Sequence, residues 1–205
     1  MGRDRKFVDA DAVVDAALEL VEKEGIEAFS TRRLASRLAI SAMTLYNYFE
    51  SREAILDKVL FRGLSAFWEG FPESVDAALR DGSDPVIAYR LFAKRLIDFA
   101  IARPRLYLFI TSRDLSSLMK DERLAGPYLQ VFSKVEDGKA PEALARGAYL
   151  FELLAGALAS RAVAAGMSAE LCEDLASEAF ARILRPEAAT RTRSPRPARL
   201  PRRRP

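Results

Sequence analysis

Apolar positions recur along this chain with helical spacing, and no stretch alternates with the period of a strand. Val14, Ala17, Leu18 and Val21, widened by Val13 and Leu20, follow the i, i+3, i+4, i+7 rule. They predict a helix from Asp9 or Asp11 to Glu24, stopped at Gly25. Two short helices should follow, from about Thr31 to Ala39 and from about Ala42 to Tyr48, with Ser30 and Ser41 as N-caps and Phe29 as an apolar staple. Leu34, Ala35 and Leu38 share one face of the first, and Leu45 and Phe49 can close over them. Ser51 caps a fourth helix whose stripe of Ile55, Leu56, Val59, Leu60, Leu64, Phe67 and Trp68 runs to about Phe71, with Pro72 expected to end it.

Beyond Pro72 every pattern is again helical. Pieces are expected over 75–80, 85–102, 105–113 with Pro104 at its first position, 122–137 with Pro127 marking a late start or a kink, 141–165 and 168–184, the last two separated by Gly166. The fold class is therefore all-α. An N-terminal three-helix unit occupies 1–50, with a short basic arm over 1–8. A connecting helix covers 51–71, a helical bundle 72–185, and an Arg/Pro-rich tail expected to be disordered 186–205.

Solvent is left with Thr31, Arg32, Arg33, Arg37, Thr44, Tyr46, Asn47, Tyr48 and Arg52 on the two short helices and the start of the fourth. That surface is rich in hydrogen-bond donors and almost free of acid. It suits regularly spaced phosphates and base edges, so the pair reads as a DNA-binding helix-turn-helix. Charge sharpens the picture. The net charge is +3, but Arg191, Arg193, Arg196, Arg199, Arg202, Arg203 and Arg204 stand in the tail against Glu187 alone, so the body before Pro186 is mildly acidic. A local basic patch on an acidic body steers DNA to one face. The tail is either an electrostatic clamp on DNA or a solvated end.

Other functions lose ground on composition. There is no histidine and a single cysteine, Cys172, which removes the commonest general base and zinc ligand and any intrachain disulfide. No metal or cofactor is expected. No apolar run approaches the roughly 20 residues of a membrane span, and the first residues lack the apolar core of a signal peptide, so a cytoplasmic setting is expected. An enzyme in the C-terminal region, or a helical protein of membrane surfaces, remains as a remote alternative.

The run Leu34-Ala35, Leu38-Ala39-Ile40-Ser41, Thr44-Leu45-Tyr46-Asn47-Tyr48-Phe49, Ser51-Arg52-Glu53 and Leu56 resembles the tetracycline-repressor (TetR) family of bacterial transcriptional regulators over roughly residues 10–60. The resemblance implies a homodimer that binds a palindromic operator on double-stranded DNA and is released by a small organic ligand, apolar or amphipathic. An auxiliary or activating regulator without ligand control is the alternative. It implies that Thr31, Thr44, Tyr46, Tyr48 and Arg52 hold phosphates. Ala42, Met43 and Asn47 would face base edges, and Arg32 would match a position that reads guanine in some members. Arg33 completes the candidate DNA-binding set, although a solvated helix face explains it and Arg37 equally well. Two departures stand out. Ala39 replaces the usual turn glycine, and Ala42 and Met43 offer little beyond methyl contact, which shifts specificity towards Arg32, Asn47 and DNA shape.

The same resemblance implies a ligand cavity between the C-terminal helices, with Phe92, Leu96, Phe99, Tyr107, Tyr128, Phe132 and Phe151 as candidates. Each of these could equally fill a core. Arg95, Arg113 and Arg161 are expected in salt bridges or against an acidic ligand. The last two helices carry more apolar surface than one neighbour can cover: Leu150, Leu153, Leu154, Ala157, Leu158 and Arg161 on one, Leu171, Leu175, Phe180 and Ile183 on the other. Leu150, Leu154, Ala157, Leu158, Arg161, Leu175 and Phe180 are the candidates for an isologous two-fold interface.

Overall fold

The computed structural model describes residues 8–80, 87–115, 120–136 and 141–184, apart from the side chains of 128, 131–136, 141–152, 180, 181, 183 and 184. The arm over 1–7 and the tail lie outside the described residues, as do the side chains of Tyr128, Phe132, Leu150, Phe151 and Phe180. Val8, expected in the arm, is buried in the N-terminal core.

The described elements are helical: α1 (Ala10–Glu24), α2 (Thr31–Leu38), α3 (Ala42–Leu45), α4 (Arg52–Trp68), α5 (Phe71–Arg80), α6 (Ile87–Ala102), α7 (Pro104–Thr111), α8 (Glu122–Glu136), α9 (Pro141–Ala165) and α10 (Ala169–Leu184). Gly25 ends α1 at φ 87°, ψ 168°, a mirror-extended conformation open to glycine alone, with its N–H bonded to Val21. Ser30, Ser41, Ser51 and Ser168 each accept a bond from the backbone N–H three residues on, so four helices start from a serine cap.

Two boundaries differ from expectation. The second short helix stops at Leu45, and residues 46–48 continue as turns in which Asn47 and Tyr48 N–H groups bond three residues back, to Thr44 and Leu45. Pro72 does not end α4. That helix stops at Trp68, the chain turns at Gly70 (φ 69°), and Pro72 sits in the first turn of α5, where its missing N–H costs nothing. The eighth helix starts at Glu122, as its apolar spacing predicts, and runs through Pro127, which marks no late start.

Two apolar cores organise the packing. One joins α1–α4 around Val13, Leu20, Leu34, Leu45, Ile55 and Leu56. It also takes in Leu106, Phe109 and Ile110 of α7 and Leu124 of α8, so it reaches well past residue 71. The other collects Phe67, Trp68, Phe71, Tyr89, Ile97 and Tyr107 with Ala155, Leu158, Ala159 and Cys172 of α9 and α10. Helix α4 contributes to both. Along it, Gly63 admits α7: a Cβ at this position would stand 3.2 Å from Leu106 Cδ1 and Ile110 Cδ1. Arg62 of α4 binds Asp11 and Asp15 of α1 at 2.8 and 2.6 Å, which fixes the two helices on their outer side.

Candidate nucleic-acid interface

The turn between α2 and α3 is a Schellman closure. The Ile40 N–H reaches Ala35 O at 3.0 Å and the Ala39 N–H reaches Ser36 O at 3.1 Å. It requires a left-handed residue, and Ala39 takes that conformation at φ 56°, ψ 40°; among the described residues it alone does so without being glycine. The departure from glycine is thus a local strain of about 1 kcal/mol carried by an otherwise ordinary turn.

This turn presents the short α3 on the surface. Leu45 and Phe49 are buried beneath it, while Met43 (73% exposed), Tyr46 (46%) and Tyr48 (37%) face solvent together with Asn47. A methionine so exposed adds little to the core. Thr44 is half-buried, and its hydroxyl lies 2.8 Å from Ser41 Oγ, so the residue that caps α3 also orients it. The Tyr46 hydroxyl points to Thr31 Oγ1 at 3.5 Å, which brings the candidates from α2 and α3 together. Arg32 is exposed and takes part in no ion pair among the described residues; Ala42 is half-buried against the core.

The basic face of α2 divides. Arg33 binds the Glu24 carboxylate and Arg37 binds Glu19 at 2.6 Å, both on α1. The Lys23 ammonium and the Arg37 guanidinium hold the Glu19 carboxyl below its ordinary range. Arg33, placed among the DNA-facing residues on sequence grounds, is therefore engaged in holding α2 to α1. Pairs this exposed contribute little stability, but they fix where their charges point.

Arg52 opens α4 beside this face. Its guanidinium lies over the Phe29 ring, 5.4 Å from the centroid, and its Nη1 donates to Glu53 Oε1 at 2.7 Å. Glu53 Oε2 accepts from Arg113 Nη2, also at 2.7 Å. The Arg113 guanidinium, helped by Arg52, keeps the Glu53 carboxyl below its ordinary range. Sequence reasoning expected Arg113 in a salt bridge or against an acidic ligand but did not single out Glu53 as its partner. They are sixty positions apart, and no spacing rule links them.

Arg95 corrects another expectation. Among the described residues it bonds backbone carbonyls and no carboxylate. Its Nε donates to Phe67 O at 3.0 Å, and its Nη2 to Glu69 O at 3.0 Å and Ala66 O at 3.3 Å, so it caps the C-terminus of α4 from α6.

The described pocket candidates are packed side chains. Phe67 of α4 meets Phe92 and Phe99 edge-on, with centroids 5.8 and 5.5 Å apart. Leu96 packs beside them. Tyr107 is buried, with its hydroxyl bonded to Gly156 O at 3.0 Å and Ser160 Oγ at 2.9 Å. A groove of about 240 Å³ lies elsewhere, between Ile87, Leu91 and Lys94 of α6 and Glu173 and Ala176 of α10. Of the interface candidates, Leu158 is turned into the core and Leu154 is half-buried. Ala157, Arg161 and Leu175 are exposed, as are Leu153 (54%) and Leu171 (48%).

Known proteins bear on this geometry. Residues 13–59 match the model for bacterial regulatory proteins of the tetR family. The uncharacterized HTH-type transcriptional regulator YobS of Bacillus subtilis (strain 168) is 30% identical over 95 residues, 46% of this chain and 47% of that protein. The tetracycline repressor protein class D of Escherichia coli is 42% identical over 50 residues, 24% of this chain and 23% of that protein. The chain thus spans about half the length of YobS and about a quarter of the repressor. Among solved structures, a TetR transcriptional regulator from Rhodococcus sp. RHA1 superposes with a TM-score of 0.61 at 17% identity, covering 84% of this chain and 93% of that one. A possible TetR family transcriptional regulator from Streptomyces coelicolor A3(2) gives 0.58 at 21% identity, covering 89% and 86%. These likenesses establish the fold: an N-terminal helix-turn-helix followed by a helical C-terminal region.

Proposed function

We propose that this chain, whose residues 13–59 match the model for bacterial regulatory proteins of the tetR family, is a homodimeric DNA-binding transcriptional regulator, a repressor released from a palindromic operator by a small organic molecule. The observation that carries this reading is the α2–α3 tip. Met43, Tyr46, Asn47 and Tyr48 stand exposed over a completed core, beside Thr31, Arg32, Thr44 and Arg52. Hydroxyls, phenols and a guanidinium on one face suit phosphate contacts; Arg32, Ala42, Met43 and Asn47 suit base edges. The exposed Leu153, Ala157, Leu171 and Leu175 on α9 and α10 support a second copy docking there. Two-fold symmetry would then place two reading heads on a palindrome.

Control by a ligand would act on α4. The rings of Phe67, Trp68, Phe92 and Phe99 meet at its C-terminal end, so a molecule that separates them tilts the helix that begins at Arg52. DNA and ligand are then negatively coupled, each weakening the other by the same factor. Because those rings are in contact, a regulator without ligand control is the second reading. Selection of operator sequences from a random duplex library tests the proposal: an inverted repeat supports it, and recovery of no preferred sequence contradicts it.

A further inference from the structure

Arg52 is not alone at the start of α4. Its guanidinium and that of Arg113 share one carboxylate, Glu53, each at 2.7 Å and each on a different oxygen. The three groups sum to one positive charge. Without Arg113 they sum to zero, and a free carboxylate oxygen stands beside the candidate phosphate contacts. We propose that Arg113 is a positioning residue for DNA binding. By sharing Glu53 with Arg52 it neutralises the carboxylate, weakens its hold on Arg52 and leaves one net positive charge towards phosphate, and so makes the affinity of the DNA face depend on the seating of α7 against α4. This inference rests on the DNA-binding reading above and gives it a device for regulation.

The geometry supports a linkage between elements as well as between charges. Arg113 lies just beyond α7, its N–H bonded to Ile110 O at 3.2 Å and its guanidinium 5.3 Å from the centroid of the buried Phe109 ring. It therefore travels with α7. Helix α7 in turn meets α4 closely at Gly63, where a Cβ would stand 3.2 Å from Leu106 and Ile110 side-chain carbons, and its neighbour α6 holds the far end of α4 through Arg95. A shift of α4 relative to α7 parts Arg113 from Glu53 at the DNA end of the helix. Glu53 then has Arg52 as its remaining partner, and its uncompensated charge holds that guanidinium more strongly in competition with phosphate. The side chains of Arg113 and Glu53 are 30% and 55% exposed, so the effect is moderate and the pair can open without unfolding a core.

The test is a double-mutant cycle read by fluorescence anisotropy on a mixed-sequence duplex of about 30 base pairs in about 50 mM salt, where the phosphate contribution dominates. Arg113→Gln should weaken binding by about two- to fivefold, the measure of one partly exposed charge pair. Arg113→Lys should recover part of that loss. In the Glu53→Gln background, Arg113→Gln should cost nothing further, because the charge it screens is gone. An equal loss in both backgrounds assigns Arg113 a merely structural role and overturns the proposal, as does no loss in the Glu53-containing chain. Arg52→Gln separates the two levels. If it leaves duplex binding unchanged, or if the wild-type chain binds no duplex, the DNA face itself is wrong and this inference falls with it. If it weakens binding while Arg113 proves indifferent, the inference alone fails.

Discussion

The guanidinium of Arg95 closes the C-terminal end of α4, with its Nε 3.0 Å from the carbonyl oxygen of Phe67 and its Nη2 on the carbonyls of Ala66 and Glu69. A cation there meets the negative end of the helix dipole and satisfies carbonyls that have no helical partner. Helix α4 is thus held at one end by Arg95 from α6 and at the other by Arg113 from beyond α7. Arg95→Met keeps much of the aliphatic stem and removes the donors. It should lower stability by about 1–3 kcal/mol, read as a shift in the denaturant midpoint at constant slope.

The strained turn gives a stabilising substitution. Ala39→Gly removes the steric cost of the left-handed conformation, while glycine's greater freedom in the unfolded chain offsets part of the gain. A net increase of about 0.5 kcal/mol is expected in equilibrium unfolding. A loss of stability would mean that the Ala39 methyl makes a contact worth more than the strain.

Ser41 serves both helix and interface. Its Oγ accepts from the Thr44 N–H at 3.1 Å and lies 2.8 Å from the Thr44 hydroxyl. Ser41→Ala should cost about 1 kcal/mol of stability as a lost cap. It should also weaken duplex binding at temperatures where the domain stays folded, because the Thr44 hydroxyl is no longer held. A stability loss with unchanged DNA affinity would exclude Thr44 from the phosphate contacts.

Acid should erode the Arg113–Glu53 contact in a defined direction. The Arg113 hydrogen bond, followed by Arg52, lowers the Glu53 carboxyl below its ordinary value of 4.5. A depressed carboxyl contributes stability that is fully present above that ordinary value and is lost as pH falls through the lower folded one. The gap in melting temperature between the wild-type chain and Glu53→Gln, small because the group is exposed, should be constant near neutrality and vanish as the carboxyl protonates. A gap that widens in acid would contradict the assignment.

Cys172 is fully buried, with its Sγ 3.9 Å from Leu158 O, and burial pushes its thiol above the ordinary value. It should resist thiol reagents in the native chain and react at the rate of local or global opening. Fast stoichiometric labelling under native conditions would show that α10 does not pack as described.

Much of the architecture was legible in the sequence because it rests on local rules. Ser30, Ser41 and Ser51 mark helix starts by a hydrogen bond that spans three residues, and the stripe on α1 reports one buried face. Errors arose where the deciding partner was distant or the rule ambiguous. Pro72 fits the end of one helix or the first turn of the next, and Gly70 decided between them. The length of α3 depended on turn geometry that apolar spacing does not encode. Arg33, Arg95 and Arg113 look alike in sequence, yet one binds α1, one caps α4 and one shares Glu53, each through a fold-dependent neighbour. Leu158 and Leu153 lie on the same apolar helix, and the packing of α6 and α10 turned only Leu158 inwards.

The central claim is that the α2–α3 tip and the start of α4 bind DNA through phosphates. The salt dependence of duplex affinity, compared between the wild-type chain and the Arg52→Gln variant, tests it most directly. A plot of log affinity against log salt should fall steeply for the wild type, and the slope should lose about one unit when the single phosphate contact of Arg52 is removed. Weak binding with a flat slope, or a slope indifferent to Arg52, would contradict the account.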